Sequence, residues 1–208
     1  MYLPESFKVV DGPEIEAFLQ RYDFATLVSP TPESLLATHV PVVIRRSTSG
    51  LVVLGHVARA NSHWKSMDGT VESLAIFHGP HGYVSPTWYT DSPAVPTWNY
   101  AVVHVYGRPQ VRQESDFVED VLKDLLNRYE GSAPHAYRMD GLPMEYRTRQ
   151  LSSIVGFEMP VARLEAKFKL GQNRSRVDRA RTIEELERKE LPEASALATF
   201  MRSHLKDG

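Results

Sequence analysis

The sequence predicts a mainly β fold, a sandwich or barrel with helices added to it. Five β-rich runs, 24–28, 35–45, 51–57, 71–78 and 100–111, follow one another between Pro, Gly, Ser and Asp clusters. No long amphipathic helix lies between them, which argues against βαβ units. Apolar patterns of helical period stand before and after this block instead.

In chain order, Asp11-Gly12-Pro13-Glu14 reads as a helix start, with an Asp cap, Pro in the first turn and Glu three residues after the cap. Ile15, Phe18, Leu19 and Tyr22 then recur at i, i+3, i+4 and i+7 as one apolar stripe. Residues 61–67 suit a helical turn or two. Residues 79–99, rich in proline and carrying Trp88 and Trp98, predict an ordered excursion with little regular structure. Ser115 is placed to cap a helix in which Phe117, Val118, Val121, Leu122, Leu125, Leu126 and Tyr129 form a double apolar row, ending near Gly131. A loop around Pro134 and Gly141 leads to a helical segment at 143–151, and 154–170 is extended in character. Helices over 174–189 and 194–205 close the pattern, with Thr182 and Glu185 forming a capping box inside the first.

Composition narrows the function classes. The 208 residues hold 24 Lys and Arg against 26 Asp and Glu, a net charge of −2, which argues against a protein coated by nucleic acid. There is no cysteine, so disulfides, thiolate metal sites and cysteine nucleophiles are excluded. Neither a membrane span nor a secretion signal is present in the pattern, and a single cytoplasmic domain over 1–208 is expected.

The usual catalytic signatures are missing. There is no Gly-x-Ser-x-Gly elbow, no phosphate loop and no dinucleotide fingerprint. Six of the eight histidines lie between His39 and His104, and strict alternation turns His39 away from Thr38, Val40 and Val42. His78 and His81 form the tightest pair, across a Gly-Pro turn, with no second cluster to complete a metal shell. The segment Gly55-His56-Val57-Ala58-Arg59-Ala60-Asn61-Ser62-His63-Trp64-Lys65 leaves a strand for a short turn, where Arg59 and Lys65 would suit a monophosphate. Trp64 either stacks near a ligand or pins that turn. The aromatic run from Phe77 through Tyr83, Trp88 and Tyr89 to Trp98 and Tyr100 serves a planar ligand, a subunit interface or a local core.

These segments carry a family resemblance along nearly the whole chain. Met1-Tyr2-Leu3-Pro4, Ala37-Thr38-His39-Val40-Pro41, Gly55 to Asn61 with Trp64, Gly79-Pro80-His81, Ser85-Pro86-Thr87-Trp88-Tyr89, Val95-Pro96-Thr97-Trp98-Asn99-Tyr100 and Lys169-Leu170-Gly171-Gln172-Asn173-Arg174-Ser175 resemble the PaiB family. That family is catalogued as FMN-binding negative transcriptional regulators of bacteria. The resemblance implies a split β-barrel of the pyridoxamine-phosphate-oxidase-like FMN-binding type, with helical additions at about 113–130 and 174–206 and a homodimer holding FMN. It places Thr38 and His39 toward the isoalloxazine, His56 and Asn61 near the ribityl phosphate with Lys65 as a further phosphate contact, and Trp98, Asn99 and Tyr100 in the pocket. Gln172 and Arg174 would close over it. Gly171 departs from the Ser expected in this motif.

Three functions are compatible with this resemblance: an FMN-binding regulator or flavin-linked sensor, an FMN-dependent oxidoreductase of a small molecule, and a haem-binding split barrel. Residues 163–181 carry seven Lys or Arg and two Asp or Glu, the most basic stretch of the chain. Without a helix-turn-helix pattern they read as a solvated helix paired with Glu184, Glu185, Glu187 and Glu190, so regulation is expected to be indirect rather than through DNA contact.

Overall fold

The strand block expected from the sequence forms a mainly antiparallel sheet in a computed structural model that describes residues 1–131, 133 and 135–205. The elements are β1 (Lys8–Val9), α1 (Gly12–Arg21), β2 (Phe24–Pro30), β3 (Leu35–Ser47), β4 (Gly50–Ala58), β5 (Ser73–Val84), β6 (Thr97–Gly107), β7 (Gln110–Arg112), α2 (Ser115–Glu130), α3 (Met144–Ser152), β8 (Ile154–Lys169), α4 (Arg176–Glu187) and α5 (Pro192–Ser203). Pairing runs β8-β4-β3-β2-β5-β6, and β6 meets β8 again, so these six strands close on themselves; β1 and β7 are added to β8. Closure removes the free edges that an open sheet would expose. Among the described residues no helix is long and apolar enough to cross a membrane.

Two compact units emerge, with β5, β6 and β8 contributing residues to both. The barrel unit comprises Leu19–Phe77 and His104–Leu164. Its inward positions follow strand alternation: Val40, Val42 and Ile44 on β3, Val53 and Val57 on β4, and Val155, Phe157 and Met159 on β8 are all buried. On the other side of β3 and β4, α2 lays Val121 and Leu125 on Leu54, with Val43, Val52 and Phe117 around them. Arg45 Nε donates to Asp124 at 2.8 Å, and Asp23 accepts from the Tyr129 hydroxyl at 2.8 Å and pairs with Arg128, fastening the middle and the C-terminal end of α2.

The terminal unit comprises Met1–Phe18, His78–Val103 and Glu165–Gly208. Phe18, Phe168 and Phe200 form its aromatic centre, with centroid separations of 5.0, 5.2 and 6.1 Å. Ile183, Leu186, Leu197 and Met201 join α4 to α5. His204 Nε2 meets Glu14 at 2.9 Å, tying the end of α5 to α1.

Several expected boundaries move. The excursion assigned to 79–99 is strand at both ends, since β5 runs on to Val84 and β6 begins at Thr97. Gly79 permits this: a Cβ there would stand 2.6 Å from the Phe18 ring. Ser115 begins α2, but Glu114 holds the cap position without a side-chain bond. The capping box at Thr182 is a mid-helix contact, its hydroxyl donating to the Asp178 carbonyl; the real cap is Ser175, which accepts from Asp178 N. Gly171 takes φ +80°, a left-handed conformation in which glycine is the favoured residue, so its departure from Ser suits the turn. Pro134 and residue 206 lie outside the described residues.

Gly55 on β4 leaves no room for a side chain, because an added Cβ would meet the buried Phe157 ring at 2.7 Å. Gly55→Ala should therefore cost about 1–3 kcal/mol through overpacking. Urea denaturation checks this, and an unchanged midpoint would refute it.

Candidate functional site

The barrel unit contains a buried polar chain that begins at the turn after β4. His63, in the 3₁₀ turn Ser62–Ser66, is 1 % exposed. Its Nδ1 lies 2.8 Å from Thr38 Oγ1 on β3 and its Nε2 2.8 Å from Ser29 Oγ on β2. Ser29 Oγ in turn meets Ser73 Oγ on β5 at 2.7 Å. Asn61 Nδ2 donates to Thr38 Oγ1 at 3.1 Å, while Asn61 Oδ1 accepts from His63 N at 3.0 Å. With His63 as the Nε2–H tautomer, donors and acceptors follow one direction from Asn61 through Thr38 and His63 to Ser29 and Ser73. Burial holds His63 below the ordinary histidine pKa, which keeps the ring neutral and this alternation intact.

Next to this chain, a cleft of about 390 Å³ is lined by Leu36, Ser62, Lys65, Ser66 and Asp68 among others. The Lys65 ammonium and the Ser62 hydroxyl on a single turn suit an anionic oxygen cluster such as a phosphate, while the Ser66 hydroxyl donates to the His63 carbonyl at 2.8 Å. Asp68 is already engaged, accepting from Thr70 N and Oγ1 at 2.8 and 2.7 Å, and these bonds hold its carboxyl below the usual range.

The other residues singled out in this unit separate by strand alternation. His39 faces away from Thr38, hydrogen-bonds Thr26 Oγ1 at 3.0 Å and stacks near Phe24 on the solvent side. His56 shares that outer side of the sheet with His39, since Gly55 pairs with Val42 and both histidines lie on the opposite parity. Its Nδ1 is buried without a hydrogen-bond partner in the structure, and burial lowers its pKa. Trp64 pins the turn, donating Nε1–H to the Arg59 carbonyl at 3.0 Å. Arg59 turns away from the expected phosphate position. Its guanidinium reaches the carbonyls of Ser152 and Ile154 and the side chain of Gln113.

Trp98, Asn99, Tyr100, Gln172 and Arg174 all fall in the terminal unit. Trp98 is exposed, stacked near His81 and edge-on to Tyr83. Asn99 points the other way and is buried, its amide 3.5 Å from Met201 Sδ. Gln172 spends its amide inside its own turn, accepting from Leu170 N at 2.7 Å and donating to the Phe168 carbonyl. Arg174 lies over the Tyr89 ring at 4.3 Å. Among the described residues no group of three or more His, Asp or Glu gathers as a metal site. His63 is the centre of this polar chain and was not singled out by sequence reading; its signal was a histidine two residues after Asn61 on a turn entering from a strand.

The family model described as "Putative FMN-binding domain" matches residues 1–163. "Protease synthase and sporulation protein PAI 2" of Bacillus subtilis (strain 168) is 34 % identical over 206 residues, 99 % of each chain. "Uncharacterized protein AN0679" of Emericella nidulans is 28 % identical over 210 residues, 84 % of each chain, so the likeness extends beyond bacteria. The flavocytochrome Anf3 from Azotobacter vinelandii shares the fold at TM-score 0.61 and 13 % identity, over 79 % of this chain and 70 % of that one. The mainly antiparallel sheet with added helices is thus a split barrel.

Removing the His63 ring takes one hydrogen bond from the Thr38 hydroxyl and one from the Ser29 hydroxyl, which keep Asn61 and Ser73 as partners. His63→Leu should lower stability by about 1–3 kcal/mol, at roughly 0.5–1.5 kcal/mol for each hydrogen bond lost, as read by urea denaturation. The pH dependence has a defined sign. His56 and His63 are both depressed below 6.5, so the unfolded chain takes up their protons first as pH falls. Stability should be full above about pH 6.5 and decline as pH drops through the folded-state values. His63→Gln, which keeps polar ends but cannot titrate, should flatten that decline in urea midpoints taken between about pH 8 and pH 5; an identical slope would count against it.

Proposed function

The chain belongs to the family described as "Putative FMN-binding domain", and on that premise we propose that it binds FMN in the barrel unit and works as a homodimeric, cytoplasmic PaiB-type regulator. The observation that carries the reading is the Asn61–Thr38–His63 chain beside the Lys65 cleft. It joins a rigid set of polar groups to a cationic turn, the combination that a polyol phosphate needs. The partnerless Nδ1 of His56 fits the same reading, since a buried ring nitrogen is satisfied by a polar ligand atom.

In this assignment Lys65 and Ser62 hold the phosphate, and Asn61 and Thr38 orient the ribityl side. His63 fixes both of the latter from behind. His39 and His56 address the flavin from the outer sheet face, and Trp98 and Tyr100 reach it from the second copy. Asn99, Gln172 and Arg174 support that surface from within, through the contacts described above. Bound FMN supplies a redox-active ring able to take up or release electrons.

The homodimer is supported by the outer face of β2 and β3. Phe24 and Leu35 are 62 % and 71 % exposed there, at the two ends of the β2–β3 ladder, and a second copy lying along that face would cover both. The indirect character of the regulation is supported by the basic segment. Arg174 covers Tyr89, and Arg179 donates to the His204 carbonyl at 3.1 Å. The acidic residues expected to neutralise these arginines pair elsewhere, Glu185 with Arg188 and Glu187 with Arg202. Arg174 and Arg179 thus serve the local fold, and Arg176 and Arg181 are the exposed cations of the helix. A sensor that passes its flavin state to another protein accords with this surface.

Purified protein should show flavin absorption near ~370 and ~450 nm and bind added FMN. Lys65→Ala should weaken FMN about tenfold, near ~1.4 kcal/mol, and leave riboflavin unaffected; Asn61→Ala should weaken both. Titrations of flavin fluorescence decide, and equal losses for both flavins in Lys65→Ala would remove the phosphate assignment. Light scattering should report twice the chain mass, and a monomer at working concentration would end the dimer assignment. DNA affinity, if detected by gel shift, should be weak and fall steeply with salt; tight, sequence-specific binding at physiological salt would mean direct regulation.

A further inference from the structure

Two lysines of the terminal unit are held close together by neutral groups. Lys167 is 7 % exposed, sends Nζ to the Tyr2 carbonyl at 3.0 Å, and lies over the rings of Tyr2 and Tyr100 at 5.2 and 5.4 Å. Lys169, two residues along β8 and so on the same face, donates to the Thr97 hydroxyl and, at 2.7 Å, to the Trp98 carbonyl. Glu165, the carboxylate preceding them on that face, receives the Met1 ammonium. Burial, and then the charge of Lys167, push the Lys169 pKa down.

A buried ammonium forfeits several kcal/mol of hydration, and carbonyls and rings return only part of it. A second positive charge two residues away raises the deficit. A pair of this kind is stabilised by an anion that reaches both heads through the N–H directions that Tyr2, Thr97 and Trp98 leave over.

From this arrangement we infer that Lys167 and Lys169 form an oxyanion seat, lined by Tyr100 and Thr97, that takes the carboxylate or phosphate of a small molecule. The seat stands on the charges of the terminal unit and does not depend on the flavin reading, whose phosphate contacts are Lys65 and Ser62. Its occupant is a regulatory or substrate anion, distinct from the phosphate of FMN.

The test is thermal unfolding of the purified full-length protein at constant ionic strength, with sodium chloride replaced stepwise by sodium phosphate or sodium benzoate. The wild type should gain about 2–4 °C in Tm for each ~1 kcal/mol of ligand stabilisation and then level off, as linkage requires. Similar responses to both salts identify a seat for a free oxyanion; a response at much lower benzoate concentration identifies one for an organic acid. Lys167→Met with Lys169→Met should abolish the rise while leaving Tm in chloride unchanged or higher, because the buried charges are gone. Lys169→Met alone, at the more exposed position, should weaken the response at least tenfold and covers the case in which the double variant does not fold. No saturable rise over chloride in the wild type, or a full rise in Lys169→Met, overturns the inference. A loss of affinity for FMN but not riboflavin in Lys169→Met also overturns it, because the seat would then hold the flavin's own phosphate. A wild-type rise in protein that binds no flavin leaves the seat standing and removes the flavin reading alone.

Discussion

The neutral ring of His63 is the constraint around which the barrel unit is arranged. One imidazole, 1 % exposed, joins the turn after β4 to β2 through Ser29 and to β3 through Thr38, while the His63 backbone N–H donates to Asn61 and Ser29 extends the chain to β5. Apolar packing is non-directional and would tolerate several placements of that turn. A buried ring with two nitrogens tolerates few, because each misplacement leaves a donor or acceptor without water or partner. The turn bearing Lys65 and the Thr38 hydroxyl therefore come as one piece. The specificity of the cleft is paid for by the same hydrogen bonds that close the strands beneath it.

What was legible in the sequence follows the range of the forces involved. Strand alternation is local, so the opposition of His39 and Thr38 could be read from residue parity and is found in the structure. The apolar stripe of α1 and the double row of α2 were legible for the same reason. The turn pinned by Trp64 needed only a bond spanning five residues. His63 was not legible. Its partners lie 25 and 34 residues away, and a histidine between two serine-containing stretches looks like any polar turn residue. The extension of β5 through Gly79 and Pro80 was hidden because glycine and proline normally signal an end to a strand. Here glycine answers a distant ring, Phe18, that no local pattern reveals.

Arginine shows how far charge counting can mislead. By composition, residues 163–181 looked like one solvated basic surface matched by the acids that follow it. In the fold these cations have separate occupations: Arg174 over an aromatic ring, Arg179 on a helix-terminal carbonyl, Arg163 over Tyr106 at 3.5 Å. Guanidinium is weakly hydrated and planar, so it packs on rings and carbonyls at little cost, and a run of arginines need not present a field to solvent. Lysine ammonium is compact and strongly hydrated, and the same environment is expensive for it.

That difference gives the lysines of β8 their interest. Had residues 167 and 169 been arginines, their contacts with carbonyls and phenol rings would have needed no further account. As lysines, one buried and the other with its pKa pushed down, they sit where hydration has been removed and where their hydrogen bonds run to carbonyls and a hydroxyl. Selection for stability alone favours an apolar residue at such a position, since well-packed hydrophobic groups commonly match or exceed a buried charge. A charge kept under those conditions is best understood through what it attracts. In the barrel unit every member of the His63 chain is answered by another; the β8 lysines leave theirs to be answered from outside.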